Sequence, residues 1–172
     1  MKEHQLRKKE LREVVEFLRT AYPKLHVSLG EVTSGLITEL EDVRNMVKLV
    51  ILNGVPALIE LRDGSKIPTL VLVKLSGLEG MQYAVVDEGA VKYVLNGADV
   101  MAPGITMTSD FRKGELVSVW SPTRESPLCV GRAIMSSYEI TIIRKGRAVE
   151  NIHHAGDRVW KICLERLARK TT

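Results

Sequence analysis

The clearest periodicity lies mid-chain, where Val91, Val94, Leu95 and Ala98 recur at helical spacing behind Asp87. An Asp there accepts the free N–H groups of a first helical turn, and Gly97 offers the left-handed backbone on which a helix stops. The pattern predicts a helix over residues 88–96, its apolar stripe inward, with Lys92, Asn96 and the bare backbone of Gly97 and Ala98 turned outward. Pro103-Gly104 then predicts a type II turn.

Toward the start, Leu11, Val14, Val15, Leu18 and Tyr22 predict an amphipathic helix that Pro23 ends. Lys8, Lys9, Arg12 and Arg19 lie off that stripe and read as a solvated face before an RNA-binding one. Residues 25–40 alternate around Ser34-Gly35, which fits one or two strands, and a helix over 35–44 fits as well. The β-branched run from Val47 to Leu52, then Asn53-Gly54, predicts a hairpin with a type I′ turn whose returning strand covers 55–61. Pro56 places that strand at a sheet edge, where a missing N–H does no harm. After a turn at Asp63-Gly64, Pro68 suits the first position of a short helix over 70–75, although Val71, Val73 and Leu75 also fit a strand.

Ser76-Gly77-Leu78-Glu79-Gly80 is the natural boundary, dividing the chain into residues 1–78 and 79–172. Turns at Lys113-Gly114, Ser121-Pro122, Ser126-Pro127 and Gly156-Asp157 cut the second part into short strands, as in a small barrel or sandwich. Ser136 and Ser137 cap a turn of helix before Ile140, the basic turn Arg144-Lys145-Gly146-Arg147 follows, and residues 160–170 begin as strand and end as a short basic helix.

Composition narrows the class. In 172 residues, 45% hydrophobic content suffices for one large or two small cores. No apolar run approaches the roughly 20 residues of a membrane span, and the Lys-rich start lacks a signal-peptide core. Cys129 and Cys163 show neither pairing nor metal spacing, so they predict buried thiols of a cytoplasmic protein. The net charge of +4 is uneven: both ends are basic, and the middle is acidic. Such ends suit contact with a polyanion, though lysines for solubility are the commoner reason.

Catalytic chemistry is hard to find. His153 and His154 are adjacent, so on a strand they face opposite ways, and no Cys, Asp or Glu falls at ligand spacing. There is no nucleophile elbow and no phosphate-cradling glycine loop. Trp120 and Trp160 read as core fillers before base-stacking platforms. No metal, no cofactor and no enzymatic turnover is expected.

Residues 87–105 read Asp-x-Gly-Ala-x-x-x-Val-Leu-x-Gly-Ala-x-Val-x-x-Pro-Gly-Ile, which resembles the opening of the PUA domain. The likeness continues through a strand over 114–120, Leu128-Cys129-Val130-Gly131, and Val149-Glu150-Asn151-Ile152-His153-His154, with Val159-Trp160 as a closing strand. These pieces are similar to the malignant T-cell amplified sequence family of translation factors. That resemblance implies an α+β protein with a small α/β N-terminal lobe, then a PUA-type mixed β-barrel with short helices. It also implies a noncatalytic RNA-binding role in initiation, re-initiation or recycling. The RNA would belong to the small ribosomal subunit or be transfer RNA, and a density-regulated-like protein would be the partner. In PUA domains the helix, glycine turn and late strands line the RNA groove, which here points to Lys92, Gly97, Ala98, Gly104 and Asn151, with Arg112, Lys113, Lys145 and Arg147 as further basic candidates. Two other readings are an accessory subunit of an RNA-modification enzyme and a protein-interaction adaptor using the strand edge near Pro56 and the basic ends.

Overall fold

The computed structural model describes residues 2–41, 43 and 45–170, the last without its side chain. Five strands, β1 (Glu3–Gln5), β2 (Gly35–Glu39), β3 (Met46–Leu52), β4 (Val55–Leu61) and β5 (Lys66–Pro68), form an antiparallel sheet in chain order. The hairpin between β3 and β4 turns on Asn53 (φ 52°) and Gly54 (φ 77°), the positive angles a type I′ turn requires. Helices α1 (Lys8–Ala21) and α2 (Pro23–Leu29) cover one face, where Val14, Leu18 and Leu25 pack on Val50, Leu52 and Leu58.

Several expectations for this half are corrected. Pro23 ends α1 but also opens α2, because a proline at the first helical position loses no needed N–H. The strand β1 was not expected. The strand β4 lies inside the sheet, not at its edge. Pro56 is tolerated there because it sits opposite Ile51 at a register shift, and β5 pairs only with Leu58, Ile59 and Glu60. The segment open to strand or helix at 35–44 begins as β2; residues 42 and 44 lie outside the described set. Pro68 ends β5, and Thr69 caps the next helix, α3 (Leu70–Ser76), its hydroxyl accepting from Leu72 N–H at 3.1 Å.

Past Gly77 (φ 89°) and a 3-10 turn at Leu78–Gly80, a curled mixed sheet of six strands begins. Its strands are β6 (Tyr83–Val86), β7 (Val100–Met101), β8 (Ile105–Thr108), β9 (Leu116–Trp120), β10 (Pro127–Ala133) and β11 (Arg147–His154). Their spatial order is β7-β11-β10-β9-β6-β8, with β6 and β9 parallel and the other pairs antiparallel. Helix α4 (Glu88–Leu95) follows β6 and α5 (Ser137–Ile143) follows β10, each capped as the sequence predicts: Asp87 accepts from Ala90 N–H, and Ser136 from Glu139 N–H. The expected α+β class with a barrel-like mixed second half is what the chain folds into. The strand expected at 159–160 is instead the start of a continuous helix, α6 (Arg158–Lys170).

Three apolar clusters organise the interior. One belongs to the first sheet and its helices, and one lies wholly within the second half, around Val86, Val94, Val117, Val119 and Val149. A third joins Leu49, Ile51 and Ile59 of the first sheet to Trp120 and Val130 of the second and to Val159 and Cys163 of α6. Trp120 is a core residue, its indole N–H donating to the Ser118 hydroxyl at 2.9 Å. Both thiols are free and buried; burial, helped by the nearby charge of Asp157, pushes Cys163 up to about 12.

Candidate nucleic-acid interface

Helix α4 ends in a Schellman motif. Ala98 N–H reaches back to Tyr93 O at 3.0 Å and Gly97 N–H to Val94 O at 3.0 Å, with Gly97 at φ 92°. The expected glycine stop is therefore met, but Ala98 is exposed and does not join the buried stripe, because the motif turns the chain outward there. The expected type II turn at Pro103-Gly104 is a 3-10 turn, Ala102–Gly104, and Gly104 has no positive φ. Its small size serves packing instead, since a Cβ would stand 3.1 Å from the Ala90 methyl.

Two backbone bonds bring the pieces together. Asp87 N–H donates to Gly104 O at 2.8 Å, holding the start of α4 to the 3-10 turn, and Ala102 N–H donates to Gly146 O at 2.8 Å, holding that turn to the basic one. Between them opens a cleft of about 610 Å³ whose walls include Ala90, Tyr93, Ala98, Met101, Pro103, Gly104 and Arg147. The Arg147 guanidinium pairs with Asp99 at 3.1 Å while its side chain stays 62% exposed, so its free N–H donors still face outward.

The predicted residues divide on this geometry. Ala98, Gly104 and Arg147 line the cleft, and Lys145 is on the turn leading to Arg147. Lys92 is exposed beside it, its ammonium 5.1 Å from the centre of the Tyr93 ring. Gly97 lies behind the rim against His154, whose Nε2 would be 3.2 Å from an added Cβ. Asn151 points inward: its amide donates to Val94 O at 3.1 Å and Ala98 O at 3.0 Å, and its backbone N–H to Asp99 at 2.9 Å. Arg112 and Lys113 occupy another turn, ahead of β9, tied to β10 through Gly114 N–H and Ala133 O.

Sequence reasoning missed Tyr93 and Met101, large apolar side chains left 58% and 47% exposed on the cleft. The signal was available for Tyr93, an aromatic set off the stripe of Val91, Val94 and Leu95. It also missed His153, which is fully buried: Nδ1 meets Asp157 at 2.8 Å and Nε2 accepts Leu70 N–H at 3.2 Å, bonding β11 to α3. Nε2 is thus an acceptor, and Nδ1 carries the proton toward Asp157. Among the described residues no group of three or more His, Cys, Asp or Glu is placed to hold a metal.

A model of the PUA domain matches residues 82–155, which hold the cleft and all six strands around it. Over 152 residues the chain is 33% identical to translation machinery-associated protein 20 of Schizosaccharomyces pombe, covering 84% of this chain and 83% of that one. The chain belongs to this family of PUA-domain proteins. Malignant T-cell-amplified sequence 1 of Rattus norvegicus is 31% identical over 66% of this chain and 64% of its own length. An uncharacterized protein of Methanocaldococcus jannaschii is 41% identical over 58% of this chain, which spans 61% of that relative. Among solved structures, a PUA domain of Aeropyrum pernix in its tartrate complex superposes with a TM-score of 0.81 at 27% identity, covering 96% of this chain and 92% of that one. A hypothetical protein of Pyrococcus horikoshii gives 0.79 at 28%, covering 94% and 99%. The two-part fold is thus shared along nearly the whole chain, whereas the family model itself covers only the second half.

Proposed function

We propose that this member of the family is a noncatalytic, cytoplasmic RNA-binding protein of the translation apparatus, contacting ribosomal or transfer RNA in initiation, re-initiation or recycling. A density-regulated-like protein is its expected companion. The observation that carries the reading is the cleft on α4 within the PUA match: small residues at Ala90, Ala98 and Gly104 leave room for a ribose-phosphate chain, and Lys92 and Lys145 outside its wall, with Arg147 on it, set positive charge against the lining carboxylates of Asp87 and Asp99. A relative named for its association with the translation machinery supports this reading. Among the described residues no helix is long and apolar enough to cross a membrane.

The test is anisotropy titration of labelled transfer RNA and of a small-subunit RNA fragment over a salt series. Lys92→Glu is expected to weaken binding and to lower the salt slope by about one ion. Gly97→Trp is a poor probe, because its positive φ and the His154 ring both oppose a side chain there. Ala98→Trp puts the bulk on the cleft wall instead and is expected to block binding at unchanged net charge. Parent-like affinity and slope in both folded variants would sink the cleft assignment, and a new nucleoside mass in transfer RNA incubated with the protein alone would sink the noncatalytic one.

A further inference from the structure

The two basic ends of the chain meet. Helix α6 returns across the first sheet, where Arg166 forms an ion pair with Glu3 of β1 and donates to the Thr38 hydroxyl of β2 at 3.1 Å. This brings the last turns of α6 beside the start of α1. Between them lies a cleft of about 550 Å³ with an apolar part around Leu11 and Leu36 and a polar part formed by Lys8, Arg166, Arg169 and Ser34. It shares no residue with the cleft on α4.

Its electrostatics are one-sided. Among the described residues no carboxylate lines it. Of those nearby, Glu3 is held by Arg166, and Glu10 accepts the Arg7 backbone N–H at 3.0 Å. Lys8 occupies the first position of α1, where a cation opposes the helix dipole, so helix stability does not account for it. Burial, and after it the charge of Arg169, lowers the pKa of Arg166. The Lys8 ammonium, the Arg169 guanidinium and the Ser34 hydroxyl line the cleft as donors that suit successive phosphates of a polynucleotide, and Arg166 adds its charge from its pair with Glu3.

We propose that this cleft is a second RNA contact, taking the sugar-phosphate backbone between Lys8 on one side and Arg166 and Arg169 on the other. It goes beyond the reading of the α4 cleft and does not depend on it. The contact is sequence-independent, so it adds affinity and fixes the orientation of the first lobe on an RNA without selecting bases.

The experiment uses the full chain, the same labelled transfer RNA and small-subunit RNA fragment, and a salt series. Lys8→Gln with Arg169→Gln removes two cations at exposed positions and leaves the Arg166 ion pair intact. Ser34→Glu, an independent variant, places a carboxylate in the cleft. The double variant is expected to lose roughly tenfold in affinity at low salt and about two ions from the slope, and Ser34→Glu to weaken binding as well. With parent-like circular dichroism and melting, parent-like affinity and slope in both would overturn the proposal while leaving the α4 reading untouched. Weakening here with no effect of Lys92→Glu would uphold it and remove the α4 cleft instead. Two further arms bear on the ligand. Polyglutamate that binds the parent as tightly as RNA and is lost in the double variant would assign the cleft to an acidic polypeptide. Displacement of RNA by inorganic phosphate at equal charge would assign it to a free anion. Either result would overturn the proposal, as would failure of the parent to bind any RNA.

Discussion

Asn151 shows how a side chain that reads as a ligand contact can be spent on architecture. Its amide ties two carbonyls at the end of α4 to β11, and its Oδ1 is buried without a donor among the described residues. Asn151→Ala should lower stability by about 1–2 kcal/mol, the scale of two hydrogen bonds, and Asn151→Asp by more, because a carboxylate would face both carbonyls and the nearby Asp99. Urea melts check this, and a variant no less stable than the parent would remove the role. The sequence offers an Asn in a distinctive run but not its direction, since which face of β11 it occupies depends on the register shift between Val130 and Gly131. Lys92 and Arg147 were legible as exposed or basic positions. The exposed Met101 was not, because its partner strand lies more than forty residues downstream.

Among elements, those closed by local caps were the easiest to read. Helix α4 has its own cap and its own glycine stop, and the β3-β4 hairpin has its own turn, so no distant contact is needed to specify either. Helix α6 was misread because Val159 and Trp160 look like strand residues until the core contacts of Val159 and Cys163 are known. Its cap is Asp157, which accepts from Trp160 N–H at 2.8 Å, His154 N–H at 3.0 Å and His153 Nδ1 at 2.8 Å. Burial alone would raise the Asp157 pKa, but these bonds outweigh it and hold the carboxyl below its ordinary 3.8. A depressed folded value means that the stabilisation is fully present above about pH 4 and lost as pH falls through the lower folded pKa. Asp157→Asn should therefore cost about 1–2 kcal/mol at neutral pH, with the gap to the parent narrowing under acid. Denaturant midpoints measured down to about pH 3 test the sign; a gap that stays constant across the series would contradict it.

At the scale of the molecule, residues 76–80 lie between two sheets that share a cluster, and their backbone is tied by Gly77 N–H to Val73 O and Gly80 N–H to Gly77 O, each at 3.0 Å. The second half holds a complete cluster of its own, running from Ala84 to Val149. Residues 79–172 expressed alone are therefore expected to unfold cooperatively, at a lower midpoint than the full chain because Trp120, Val159 and Cys163 lose their partners in the first sheet. Poorly dispersed amide spectra from that fragment would show that the first lobe is needed to complete the core.

The return of α6 onto the first sheet also sets a schedule for folding during synthesis. Strands β2 to β5 and helices α1 and α2 are made before the second sheet and can pair at once, but the face bearing Leu49, Ile51 and Ile59 finds part of its cover in Trp120, Val130, Val159 and Cys163, which are made after it. Glu3 waits for Arg166, which follows the whole second sheet in the chain. Until Val159 and Cys163 in the opening turns of α6 are made, the nascent chain carries an unfinished apolar surface.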